Sequence, residues 1–175
     1  NAFPENKGKV VNTAIVLYSD RIPETNNNRH VYMLLSQRDQ WMTPGGNVDK
    51  REEIIDEKEE ASNNLKCWKA LSREFSEEVG QIVDQVIPAD TIIPSHDVYS
   101  ERTNVCTRVY YYDLGKNYDL VKFTTAPING KGGHGFGEAK KAQWISLDGI
   151  LDGSISNVKS YVKSSMRLLR SNKLI

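Results

Sequence analysis

The chain has 175 residues, of which 38% are hydrophobic and 26% are charged, and its 23 basic side chains balance its 23 acidic ones. This length is sufficient for one domain with a buried core. The zero net charge provides no global basic field, so bulk nucleic-acid binding is not indicated. No apolar run approaches the length of about 18 residues that a membrane span requires, so none is predicted.

The N-terminus and the cysteines bear on the compartment. The first residues lack the basic and apolar regions of a signal peptide, although a chain that begins at Asn1 without methionine leaves an upstream start open. Cys67 and Cys106 are the only cysteines and form no CxxC pair. A cytoplasmic protein with two reduced thiols is therefore predicted, with neither a zinc site nor a redox pair.

Two strands and a glycine-rich turn are predicted in the first part of the chain. The apolar runs at 10–18 and 31–36 are typical of buried strands, and the polar residues between them predict a loop. Residues 41–47 predict a turn, because Pro44 fixes φ while Gly45 and Gly46 admit conformations that other residues resist. Glycines also allow a phosphate or a metal to approach the main chain, although such turns are often purely structural.

A charged stretch and a helix follow. Ten of the sixteen residues 49–64 are charged, which predicts a solvated helix or an excursion from the fold. Ser62, Asn63 and Asn64 are suited to cap a helix that begins at residue 65. Apolar residues then recur at helical spacing, at Leu65, Trp68, Leu71, Phe75 and Val79. Gly80 is placed to end this helix as its C′ residue.

The second half of the chain predicts shorter elements. Residues 81–94, interrupted by two prolines, predict strand or loop pieces, and residues 130–137, with five glycines, predict a loop. Strands are predicted at 103–113, 120–125 and 142–147. Asn157 is placed to cap a final helix with one apolar face. Interleaved strands and helices predict an α/β or α+β class around a mixed sheet.

Three glutamates cluster on the predicted central helix. Offsets of three and four place Glu74 beside both Glu77 and Glu78. Carboxylates so arranged repel one another unless a cation or a basic group lies among them, and Arg73 is placed to pair with Glu77. A solvated acidic face is the alternative interpretation. If a metal binds, hard oxygen ligands favour Mg²⁺ or Mn²⁺ over soft metals.

These residues resemble the signature of Nudix hydrolases. That signature has a glycine, five residues, a glutamate, seven residues, and then Arg-Glu-aliphatic-x-Glu-Glu-x-Gly with a closing aliphatic residue. The interval from Gly46 to Glu52 fits the first half, and residues 73–80 (REFSEEVG) fit the second. Ala70 fits the small residue usual three positions before the arginine, and Trp41-x-x-Pro44-Gly45-Gly46 resembles the common entry to the motif.

The sequence departs from the signature at two places. Glu52 lies 21 positions before Arg73, where the signature expects eight, so thirteen extra residues are predicted to loop out in a charged insert at about 53–64. A lid, a dimer contact or a partner-binding arm are the open roles for this insert, and its few apolar residues argue against a buried interface. The closing aliphatic position is occupied by Gln81, with Ile82 one place later.

The resemblance implies a fold, a reaction and a set of site residues. The fold would be a Nudix-like α/β/α sandwich with a mixed β-sheet, formed by residues 1–175 as a single domain. The reaction would be hydrolysis of a pyrophosphate bond in a nucleoside diphosphate linked to a further group X, with Mg²⁺ or Mn²⁺. The implied metal ligands are Glu74, Glu77, Glu78 and the carbonyl of Gly46. Catalytic roles are implied for Glu74 and Glu77, and substrate contacts for Gly45, Gly46 and Arg73, although Arg73 is better placed to orient Glu77.

Residues outside the signature are weaker candidates. Glu138 resembles the late glutamate that acts as general base before a tryptophan-containing strand, with an exposed loop residue as the alternative and Glu101 as the second choice. His134, flanked by glycines, could reach a substrate phosphate, although a lone loop histidine is more often inert. Tyr99 lies at the position of a tyrosine found in members that cleave dinucleoside polyphosphates. It could equally be a packing residue.

The ADP-ribose type carries a proline where this chain has Asp97. The resemblance therefore leans towards a nucleoside polyphosphate, with a dinucleoside polyphosphate as one candidate, as the small-molecule substrate. A homodimer is left open. Two alternatives to an enzyme remain. One is a non-catalytic Nudix-fold nucleotide-binding or regulatory module, and the other is an acidic protein-interaction domain.

Overall fold

The structure is a computed structural model that describes residues 10–48, 60–122 and 139–175. Within these ranges the chain forms seven strands and three α-helices. They are β1 (Val10–Ser19), β2 (His30–Ser36), β3 (Trp41–Met42), β4 (Gly45–Asn47), α1 (Glu60–Val79), β5 (Ser95–Ser100), β6 (Val105–Asp113), β7 (Ala139–Ser146), α2 (Leu147–Asp152) and α3 (Ser160–Ser171). Short 3-10 helices lie at Val83–Gln85 and Gly115–Leu120. No helix in these ranges combines the length and the apolar character of a membrane span.

The sheet is organised around β1, and it is mixed. Strand β1 runs parallel to β6, and β5 pairs antiparallel with the outer side of β6. The other side of β1 is shared, because β4 pairs with Asn12–Ala14 whereas β2 pairs only with Tyr18 and Ser19. Strand β2 continues the sheet towards β3 and β7. Strand β4 therefore fills the gap between two diverging strands at the middle of the sheet.

Helices cover both faces of this sheet. On one face Trp68 of α1 packs edge-on against Tyr110 of β6, with ring centroids 5.1 Å apart. On the other face Val162 and Met166 of α3 line a small cavity with Ala14 and Val109. Successive residues of a strand point to opposite faces, so the apolar runs of β1 and β6 supply both layers. The predicted α/β/α sandwich with a mixed sheet is confirmed.

Helix α1 begins earlier than the sequence pattern predicts. It begins at Glu60, so residues 60–64 of the predicted insert are helical, and the prediction of a cap at 62–64 is wrong. Asn64 has a different role: its Oδ1 accepts a hydrogen bond of 2.9 Å from the hydroxyl of Tyr110. The end is as predicted, because Gly80 adopts φ 75° and donates its N–H to the carbonyl of Ser76.

Other local predictions need correction. Residues 41–47 form two short strands and not a simple turn, because the main chain of residues 45–47 finds partners along β1. Asn157 does not cap α3: it has φ 61°, its carbonyl accepts from the N–H of Trp41, and the helix begins at Ser160. Strand β5 and helix α2 have no counterpart among the predictions. Residues 120–122 form no strand, and the rest of the predicted strand 120–125 and the loop 130–137 lie outside the described residues.

Candidate functional site

The two halves of the split motif meet where α1 packs against β4. The N–H of Gly45 donates a hydrogen bond of 2.8 Å to Oε1 of Glu78. At Gly46, the position of a Cβ atom would lie 2.4 Å from Cδ of Glu74 and 2.6 and 2.8 Å from its two oxygens. Only a glycine leaves space for this carboxylate beside the main chain. The glycines and the glutamates are thus in direct contact despite their distance in sequence.

Arg73 connects the same two elements. Its Nη1 donates to Oε1 of Glu74 at 2.9 Å, and its Nη2 donates to the carbonyl of Asn47 at 2.9 Å. Oε2 of Glu77 is further away, at 3.7 Å from Nη1. The predicted pair with Glu77 is therefore the longer of two ion pairs. The contacts of Arg73 orient Glu74 and β4, which is the chemistry expected of a guanidinium with several donors in one plane.

The acidic side of α1 is buried. Glu74 is 7% exposed and Glu78 is 2% exposed, whereas an ordinary solvated face would leave both in water. Oε2 of Glu77 is also buried, and it has no hydrogen-bond partner among the described residues. Phe75 and Val79, on the opposite side of the helix, are in the core. The solvated-face interpretation of the three glutamates is thereby excluded for Glu74 and Glu78.

Two tyrosines lie close enough to Glu78 to respond to its charge. Desolvation of its hydroxyl, and then the charge of Glu78, raise the pKa of Tyr161 at the start of α3 to about 12, although 44% of the residue is exposed. The same two causes raise the pKa of Tyr32 on β2 well above its ordinary value. Both hydroxyls are protonated at neutral pH, as an ordinary tyrosine is. They are polar groups near the glutamates that the sequence pattern does not reveal, because Tyr32 lies within an apolar strand.

The carboxylates of Glu74, Glu77 and Glu78 are the candidate ligands for a divalent metal. The parts of the chain that the structure describes contain no group of three or more Asp, Glu, His or Cys side chains arranged to hold a metal ion. The chemistry of the site nevertheless fits a hard cation, because it offers the carboxylate oxygens of three glutamates, and the buried Oε2 of Glu77 has no hydrogen-bond partner among the described residues. Glu74, Glu77 and Glu78 are the residues that would hold it.

The chain is similar to known proteins in its three-dimensional structure and not in its sequence. No protein-family model matches the sequence, and no curated protein matches it either. Solved structures do match over most of the chain. An Ap4A hydrolase of C. elegans has a TM-score of 0.54 at 16% identity, over 94% of this chain and 98% of that one. The Nudix domain of Shewanella oneidensis NrtR, complexed with ADP ribose, has a TM-score of 0.54 at 12% identity, over 96% and 90%.

A Nudix hydrolase of Alicyclobacillus acidocaldarius also matches, with a TM-score of 0.55 at 11% identity over 93% of this chain and 92% of that one. The chain adopts the Nudix fold. At these identities the similarity concerns the architecture, and the site must be argued from its own residues. In this Nudix fold, β4 and α1 carry the two halves of the motif that the sequence separates.

Two of the remaining predicted site residues, Tyr99 and Glu101, lie within the described ranges. Tyr99 lies on β5, two strands away from β1, and its hydroxyl donates to Oδ1 of Asn104 in the same hairpin. Glu101 is exposed in the connection between β5 and β6. Glu52, His134 and Glu138 lie outside the described residues. The roles of Tyr99 and of the other residues stay predictions.

Proposed function

We propose that this chain is a metal-dependent hydrolase that cleaves the pyrophosphate bond of a nucleoside diphosphate linked to a further group. One observation carries the proposal: Gly45 and Gly46 contact the carboxylates of Glu78 and Glu74 across the sequence insertion. A core helix has no structural need to bury two acidic residues one turn apart against a glycine strand, because buried carboxylates are costly unless a charged partner compensates them.

The side chains have distinct roles in this proposal. A bound Mg²⁺ or Mn²⁺ neutralises charge on the diphosphate and lowers the pKa of a bound water. Glu74, Glu77 and Glu78 hold the metal, with the carbonyl of Gly46 as a further ligand. The N–H of Gly45 and the guanidinium of Arg73 keep Glu78 and Glu74 in place. Fixed ligands reduce the reorganisation that the reaction would otherwise require.

The general base and the substrate class are the finer parts of the proposal. Glu138, which immediately precedes β7, is proposed as the base that takes a proton from the attacking water. Dinucleoside polyphosphates are the favoured substrates, supported by Tyr99 at its position in the sequence and by the structural similarity to an Ap4A hydrolase. The contacts of Tyr99 with Asn104 weigh against a direct role for its hydroxyl.

A substrate panel tests the proposal. The protein is incubated with Mg²⁺ or Mn²⁺ and with dinucleoside polyphosphates, ADP-ribose and other nucleoside diphosphate derivatives, and the products are separated by chromatography. Glu78→Gln should lower kcat/KM by about 100-fold or more, since several kcal/mol of charge stabilisation depend on the metal. Glu24→Gln, in an exposed loop, is the matched control. An absence of turnover for every compound would refute the hydrolase.

A non-catalytic nucleotide-binding module is the second candidate. It is favoured by the engagement of Glu74 and Glu78 with groups of the protein itself, and by the absence of a metal-holding group among the described residues. Under this alternative, calorimetry would detect binding of ADP-ribose or a dinucleoside polyphosphate while chromatography detects no cleavage. Glu78→Gln would then leave the affinity in EDTA unchanged within about twofold. A single substitution by a neutral side chain of the same shape changes few contacts.

A further inference from the structure

The residue that closes the motif differs from its expected type and makes specific contacts. Gln81, where an aliphatic residue is expected, is buried at 5% exposure, immediately after the glycine that ends α1. Its side-chain Nε2 donates to the carbonyl of Leu120 at 2.8 Å, and its Oε1 accepts from the N–H of Lys122 at 3.3 Å. One amide thus satisfies an acceptor and a donor of the main chain at residues 120–122, as a neighbouring strand would.

Tyr32 holds the same segment from the other side. Its hydroxyl donates to the carbonyl of Lys122 at 2.8 Å, and the residue is fully buried. A tyrosine hydroxyl is protonated at neutral pH, so it is available as a donor to this carbonyl. The main chain of Lys122 is therefore fixed on both its N–H and its C=O. Both residues that fix it lie near Glu78. Gln81 follows Glu78 by three positions in the sequence, and Tyr32 lies close enough to be affected by its charge.

The Lys122 side chain is exposed and is able to bind an anion. Val121 is buried while Leu120 and Lys122 are exposed, so the segment is anchored by its middle residue. The ammonium group forms no ion pair with any residue of the described ranges, whereas Lys140 in β7 is paired with Asp39. A lysine ammonium is a compact charge on a flexible stem and is well suited to phosphate oxygens.

We propose that Lys122 binds the phosphate groups of the substrate, and that Gln81 and Tyr32 are positioning residues that hold it near Glu78. The inference rests on the proposed function and specifies how the diphosphate is held. The diphosphate and the three glutamates together carry more negative charge than one divalent metal removes, so a cation near them lowers the cost of bringing these anions together.

Binding of methylene diphosphonate, a diphosphate analogue with a P–C–P bond that cannot be hydrolysed, is the direct test. Calorimetry with Mg²⁺ should show a Kd about tenfold higher for Lys122→Met than for the unchanged protein, with a weaker dependence on salt. Lys122→Arg should restore most of the affinity. Lys116→Met, an exposed lysine in the preceding 3-10 helix, should match the unchanged protein. Equal affinities for Lys122→Met and Lys116→Met would overturn the proposal.

The role of Gln81 has its own test. Gln81→Met keeps the length of the side chain and removes both hydrogen bonds, and it should raise the KM by severalfold with a smaller change in kcat. The effect of Gln81→Met should largely disappear when Lys122 is already methionine, because the two residues act through one contact. Additive effects in the double variant would show that Gln81 is merely structural. Thermal unfolding of each variant verifies that the fold is retained.

The outcomes separate this proposal from the proposed hydrolase. If no compound is cleaved but Lys122→Met weakens binding of methylene diphosphonate, the hydrolase is refuted and Lys122 remains the phosphate-binding residue of a nucleotide-binding module. If substrates are cleaved and Lys122→Met changes neither Kd nor KM, the hydrolase stands and the assignment of Lys122 is wrong.

Discussion

Two adjacent glycines of β4 have different reasons to lack a side chain. The position of a Cβ atom at Gly45 would lie 2.2 Å from the main-chain oxygen of Thr13 and 2.7 Å from Cα of Ala14. Neither atom can move without breaking the pairing of β1 with β4. At Gly46 the three atoms nearest to this position all belong to the carboxyl group of Glu74, the far end of a side chain. The missing side chain therefore serves the sheet at Gly45 and the site at Gly46.

This contrast gives the first prediction. Gly45→Ala should lower the free energy of unfolding by about 3 kcal/mol, since overpacking against main chain is not relieved by a side-chain movement. Gly46→Ala should cost less stability than Gly45→Ala, because the carboxylate of Glu74 can shift, but this shift should lower kcat/KM by about 100-fold. Urea denaturation and the substrate assay measure the two quantities. The assignment of Gly46 to the site fails if its alanine variant retains full activity.

Glu77 gives the second prediction at this scale. Its buried Oε2 has no hydrogen-bond partner among the described residues, and Arg73 lies 3.7 Å away. Glu77→Gln removes a charge that only a metal would satisfy fully, so it should not lower stability in EDTA. Excess Mg²⁺ or Mn²⁺ should raise the Tm of the unchanged protein, and this increase should be lost in Glu77→Gln but kept in Glu24→Gln. A Tm of the unchanged protein that is insensitive to both metals would contradict the assigned ligands.

At the scale of elements, helix α1 determines the geometry of the site. It carries Arg73 and the three glutamates in its last two turns and ends at Gly80, which has φ 75°. Gly80→Ala should cost about 1 kcal/mol of unfolding free energy, because alanine is disfavoured in the left-handed region. Ser76→Ala, at an exposed position of the same helix, should cost far less, and denaturation by urea compares them. Equal stabilities would show that the helix can end elsewhere without cost.

The sequence pattern predicted some elements well and others poorly, for physical reasons. The end of α1 and its apolar face follow from Gly80 and from the spacing of Phe75 and Val79, which are local signals. The pattern places the start of α1 too late, because Asn64 is a good capping residue. The side chain of Asn64 instead accepts a hydrogen bond from Tyr110, a partner that is distant in the sequence. Strand β4 has three residues, too few for any periodicity, and it exists because β1 offers it main-chain partners.

At the scale of the whole molecule, contacts across the sheet replace proximity in sequence. The hydrogen bond from Arg73 to Asn47 joins residues 26 positions apart, and it closes the motif that thirteen extra residues interrupt. The resemblance to the Nudix signature predicts that the glycine turn and the helix meet. The contacts of Tyr32 and Gln81 could not be predicted from the sequence, because their partners are distant in the chain. A motif with altered spacing can thus leave the Nudix fold intact.

The stability of the whole fold should decline in alkali, which is the last prediction. Burial, and then the negative charge of Asp97, raise the pKa of the Cys106 thiol from 9.0 to about 11. The unfolded chain therefore loses this proton first, and the free energy of unfolding is unaffected below about pH 9 and falls as the pH rises towards 11. Between about pH 8 and about pH 10 the loss due to this thiol should be on the order of 1 kcal/mol.

Urea denaturation at the two pH values, on the unchanged protein and on Cys106→Ala, isolates this contribution. Alanine leaves a small cavity that lowers stability at both pH values alike, so the informative quantity is the difference between them for each protein. Tyrosines whose pKa values burial has raised, such as Tyr110, titrate in the unfolded chain only near pH 10 and above, and they contribute equally to both proteins. The variant should lose less stability in alkali than the unchanged protein. An identical loss would mean that the thiol of Cys106 is ionised in the folded protein as readily as in the unfolded one.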